Sequence, residues 1–64
     1  MIGRIYYYKR DLENKTNRFF VMTSEHTLGN SYNFDTYIEK QVVQNITLTK
    51  GFVEQYFILQ KRLH

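Results

Sequence analysis

Two stretches near the start of the chain carry the side chains of strands. Residues 2–10 (IGRIYYYKR) and 18–24 (RFFVMTS) concentrate aromatic and β-branched residues, which suit a pleated, half-buried surface. The segment between them, residues 11–17 (DLENKTN), is polar. This layout predicts an antiparallel hairpin with a long loop, since no Asn-Gly or Asp-Gly pair marks a tight turn. Residues 25–33 (EHTLGNSYN) read as a second loop, with Gly29-Asn30-Ser31 as its turn signal.

The pattern then changes period. Ile38, Val42 and Ile46 recur at intervals of four with Tyr37 alongside, which predicts a helix over residues 36–50 with one apolar stripe. Thr36 followed by Glu39 has the spacing of a capping box, and Lys50 and Gly51 suit a helix end. The adjacent Val42-Val43 and the absence of alanine weigh against a helix. Residues 52–62 (FVEQYFILQKR) read as a strand around Tyr56-Phe57-Ile58-Leu59, although Phe52, Tyr56, Leu59 and Leu63 also share a helical face.

The expectation is therefore one small α+β domain spanning residues 1–64. Its N-terminal antiparallel β-hairpin, single helix and closing β-strand follow one another in the order ββαβ. The alternative is an all-β small barrel of five strands. There Thr49-Lys50-Gly51 turns a hairpin and residues 33–48 hold two strands.

Composition sharpens this picture in one respect. Aromatics supply 17% of the 64 residues, six Tyr and five Phe, and each ring can bury roughly 150–250 Å² in a chain too short for a large core. With no cysteine there is neither a disulfide framework nor a thiolate metal site. Ile, Lys, Asn, Tyr and Phe, all with AT-rich codons, fill 26 of the 64 positions, which suggests a low-GC source such as a phage or mobile element. No long apolar run and no leader-like start is visible, so an intracellular, cytoplasmic protein without membrane contact is expected.

Candidate chemistry is sparse. His26 and His64 lack partners at metal-ligand spacing, and the six carboxylates are scattered, so no enzyme, no metal and no cofactor is expected. Lys50-Gly51-Phe52 with Phe57 five residues on matches part of an RNA-binding strand motif. Val53, Glu54 and Gln55 depart from it, and no family is assigned.

Strand alternation offers the clearest surface. Turning Ile5, Tyr7, Phe19 and Val21 inward beneath the helix leaves Arg4, Tyr6, Tyr8, Arg10, Arg18 and Phe20 on the opposite face. Tyr and Arg concentrate binding energy at protein interfaces, and a net charge of +3 is mild for a dedicated nucleic-acid binder. The leading expectation is a small non-enzymatic binding protein, an inhibitor that occupies a protein surface of a host or defence macromolecule. A nucleic-acid-binding module using the same basic aromatic face is the alternative, and a homo-oligomeric structural subunit is a third.

Overall fold

The computed structural model describes residues 3–60. Five strands and two short helices follow one another as β1 (Ile5–Tyr8), α1 (Lys9–Glu13), β2 (Arg18–His26), β3 (Ser31–Ile38), β4 (Gln41–Thr49), α2 (Lys50–Tyr56) and β5 (Phe57–Leu59). They build a single open antiparallel sheet in the order β4-β3-β2-β1-β5. The class is α+β with sheet dominant, and the sheet does not close into a barrel.

The N-terminal hairpin forms as expected, with Ile5 opposite Val21 and Tyr6 opposite Phe20. Its connection is more ordered than a loop. The Lys9–Glu13 segment turns helical, and the Asp11 backbone carbonyl accepts the Thr16 N–H at 2.9 Å. The second expected loop shrinks to a tight turn, because β2 extends to His26 and β3 begins at Ser31. Asn30 takes a φ of 53° there, a left-handed conformation that Asn tolerates better than most residues.

The expected helix over residues 36–50 is instead the end of β3, a two-residue turn at Glu39-Lys40, and β4. The physical reason lies in the spacing. An interval of four residues repeats on one side of a helix, but it is also an even number and repeats on one side of a strand. Pairing against β3 decides between them, and the β-branched residues of β4 (Val42, Val43, Ile46, Thr47, Thr49) suit the sheet. The two strands of the barrel alternative are thus present, but its hairpin at Thr49-Lys50-Gly51 is not. Thr49 caps α2, its hydroxyl accepting the Phe52 N–H at 3.2 Å. Residues 52–56, expected as strand, are helical, and Lys50 and Gly51, expected to end a helix, begin this one; only Phe57–Leu59 of the expected strand's described residues is a strand.

Helix α2 positions everything else. It leaves one edge strand, β4, and delivers the chain to the opposite edge strand, β5. Seven helical residues rise only about 10 Å, whereas four inter-strand gaps span about 19 Å. The sheet must bend around the helix, and register shifts between Met22 and Ser24 and between Thr36 and Tyr37 provide places for it to do so.

Under α2 lies the core: Phe20, Met22, Phe34, Val53 and Phe57, flanked by Tyr6, Tyr8, Tyr32, Ile46 and Leu48. Phe34 is fully buried and meets the Tyr6 ring edge-on at 5.4 Å and the Phe57 ring at 5.5 Å. Thr36 is equally enclosed, at 3% exposure, and its hydroxyl has no hydrogen-bond partner among the described residues.

Two substitutions test this core. Phe34→Ala should cost about 3–5 kcal/mol, enough to unfold a domain of this size. Thr36→Val removes an unsatisfied buried hydroxyl and should raise stability by about 1 kcal/mol. Urea denaturation followed by circular dichroism reads both, and a destabilised Thr36→Val protein would show that the hydroxyl is satisfied in solution.

Candidate binding face

The two faces of the sheet differ in what covers them. Helix α2 lies on the side of Tyr6, Tyr8, Phe20, Phe34 and Phe57, so these rings form the core. The predicted orientation is therefore reversed. Alternation along each strand is as expected, but Ile5, Tyr7, Phe19 and Val21 point away from the helix, and the rings assigned to a binding surface point into the core.

The six predicted binding residues do not come together as an open patch. Phe20 is 4% exposed, and Tyr6 and Tyr8 are half-buried against the core. Burial raises the Tyr6 phenol above its ordinary value near 10, with neighbouring Tyr32 adding to the effect. Arg18 does not reach out to a partner. Its guanidinium forks onto Asp11, Nε to Oδ2 at 2.7 Å and Nη2 to Oδ1 at 2.8 Å, and lies 5.5 Å from the centre of the Phe20 ring. The hydrogen bonds to Asp11 hold the Arg18 guanidinium still more firmly protonated than usual. Arg4 and Arg10 are exposed, but Arg10 sits on α1 rather than on the strand.

On the uncovered face, strand register builds two rows. Ile5, Val21, Asp35 and Asn45 stand opposite one another across four strands. Beside them runs a more apolar row, with Ile58 opposite Tyr7 on one side and Phe19, Tyr37 and Val42 opposite one another on the other. The Phe19 and Tyr37 rings stack almost parallel, 4.9 Å apart at 4°. Ile58 and Val42 remain about half exposed, at 44% and 52%.

A hydrogen-bonded ladder flanks these rows. Asn33 and Asn45 exchange reciprocal amide bonds at 2.9 and 2.7 Å; Asn33 also accepts from Thr23 and donates to Thr47, and Asn45 donates to Asp35 at 2.8 Å. These side chains hold one another in place, so the face is polar but ordered. At the α1 end, Tyr7 and Phe19 continue into a cleft of about 770 Å³ shared with Leu12, Lys15 and Lys40. The β3–β4 turn is fixed there by the Glu39 N–H donating to the Asn17 carbonyl at 3.2 Å. Glu39 occupies this turn with a φ of 60°, a strained position for a side-chain-bearing residue.

Three further observations bear on chemistry. Among the described residues, no group of three His, Cys, Asp or Glu is placed to hold a metal ion, and no helix is long and apolar enough to cross a membrane. The Lys50-Gly51-Phe52 stretch lies on α2 rather than on a base-stacking strand. His64, like Ile2 and Leu63, falls outside the described residues. Comparison with protein-family models, with curated proteins and with solved structures finds no match.

Sequence reasoning passed over the open-face rings because it assigned them to the core. The signal that could have reversed it was Phe34 and Phe57. The face that collects the most apolar side chains from all strands is the one the helix covers.

Two measurements follow from this geometry. Arg18→Met leaves the nearly buried Asp11 carboxylate unpaired, and should cost about 2–3 kcal/mol, below the value for a fully buried pair because Arg18 is itself a third exposed. A loss under about 0.5 kcal/mol in urea would show that the fork contributes nothing. For Tyr6, the raised phenol means that the folded state holds its proton while the unfolded chain releases it. Its stabilising effect is present below about pH 10 and is lost as pH rises beyond that. The urea midpoint of the native protein should fall as pH rises above about 10, and Tyr6→Phe should make that fall shallower.

Proposed function

We propose that this chain is a small non-enzymatic binding protein that engages a protein partner through the open face of its sheet. The observation that carries the reading is that α2 covers the other face and only the short α1 borders this one, which bears half-buried Tyr7, Phe19 and Tyr37 with exposed Ile58 and Val42 across the five strands. Rigid aromatic side chains beside a fixed polar ladder match the make-up of interface centres, where tyrosine is enriched and charge is scarce. The partner that fits is a protein surface able to cover the rings and to hydrogen-bond the Asn33–Asn45 amides.

A nucleic-acid partner draws less support from the same arrangement. Arg18 is committed to Asp11, and the open face carries the Asp35 carboxylate beside the aromatic row. The AT-rich codon classes are in keeping with the phage or mobile-element source proposed for such an inhibitor of host or defence machinery, acting in the cytoplasm.

The test is affinity capture from lysate of a low-GC bacterial host. Native protein, a Tyr7→Ala/Tyr37→Ala double variant and an Arg4→Ala/Arg10→Ala double variant serve as baits. Both variants should remain folded by circular dichroism. Capture lost with the first and kept with the second is the expected result. Equal capture by all three removes the open face from consideration. Retention of nucleic acid that weakens steeply with salt would favour the alternative.

A further inference from the structure

We infer that β4 is the seam of a two-fold dimer, in which the Gln41–Thr49 strands of two copies pair edge to edge into one continuous ten-stranded sheet. The inference rests on the edge of the sheet, not its face, and stands independently of the open-face reading.

Strand β4 is an edge strand nine residues long, bonded among the described residues to β3 on one side only. Such an edge presents a row of backbone N–H and C=O groups that template pairing, and native edges are normally blunted by lysine, proline, inward charges, bulges or brevity. Residues 41–49 (QVVQNITLT) contain no charged residue and no proline. The strand's one blunting feature is the register shift between Thr36 and Tyr37, which falls in its first third and leaves Gln44 to Thr49 in regular register. By contrast the other edge, β5, has only three residues. Among the described residues one long edge is therefore open to pairing, so association through it closes as a pair of copies instead of running on into a filament.

Geometry selects a second copy as the occupant, since an antiparallel strand edge is complementary to itself under a two-fold axis. The protein carries a net charge of +3, yet none of that charge lies within β4, so like charges approach only at the ends of the seam, where Lys40 and Lys50 flank the strand and Lys50 is paired with Glu25 at 3.2 Å. A two-fold axis perpendicular to the sheet makes the paired strands antiparallel and keeps like faces together. Gln44, Ile46 and Leu48, which wall a cleft of about 190 Å³ with Phe52 beneath α2, would then adjoin the same residues of the second copy. Val43, 53% exposed at the register shift, lies at this seam. Both open faces would point the same way, doubling the surface offered to a partner.

Sedimentation equilibrium and light scattering from about 1 µM to about 1 mM, with Val43→Lys as the seam variant, decide the matter. The native chain should pass from 7.8 kDa to twice that mass within this range, as expected of a small interface, with backbone amides of residues 41–49 gaining hydrogen-exchange protection as concentration rises. Val43→Lys should shift the midpoint at least tenfold to higher concentration while its thermal midpoint under monomeric conditions stays unchanged. Tyr37→Lys, on the open face, should leave dimerisation intact. A native chain monomeric throughout overturns the inference. So does a dimer that Val43→Lys leaves untouched, or one that only Tyr37→Lys dissolves.

Discussion

The burial of Phe34 and Phe57 beneath a seven-residue helix is the constraint from which the rest of the molecule follows. Phe34 comes from the middle of the sheet and Phe57 from its edge, and Tyr6, Phe20 and Phe52 close around them. Few chains of this length can hide enough apolar area, and here rings supply it instead of numerous aliphatic residues. A helix this short covers only one side of a sheet. One face consequently becomes the core, and the other is left to solvent with its own row of rings.

The ends of the sheet are held by polar pairs in place of further apolar packing. The Asp11–Arg18 fork ties α1 to the start of β2, and Lys50 at the start of α2 lies 3.2 Å from Glu25 and 5.4 Å from the centre of the Tyr32 ring. Each pairs a partly exposed cation with a carboxylate near a core ring, so the cationic stems also cover apolar surface. The same economy leaves strand β4 unprotected on its outer side, where a neutral sequence and a long edge coincide.

Much of this was legible in the residues. The N-terminal hairpin, the polar connection, the turn near Asn30 and the inside–outside alternation of β1 and β2 are local consequences of side-chain type and period. The region after Tyr37 was not legible, because an apolar interval of four serves helix and strand alike. The short helix Lys50–Tyr56 was obscured by its own aromatic content, which resembles a strand. Its start was marked by Thr49, whose hydroxyl caps the first turn, a signal that is read as part of a hairpin turn as readily as a cap.

By itself, then, the sequence determined that the chain folds around aromatic residues into α+β structure opening on a hairpin, and that along β1 Tyr6 and Tyr8 alternate with Tyr7 and along β2 Phe20 alternates with Phe19 and Val21. Strand pairing joined Tyr6 and Phe20 on one face. Which side faces inward was decided only by tertiary structure. Alternation is a local property with period two, and it is symmetric between the faces. That symmetry is broken by where α2 crosses, and the crossing depends on β4 and β5 lying at opposite edges of the sheet, a non-local fact that no window of residues contains.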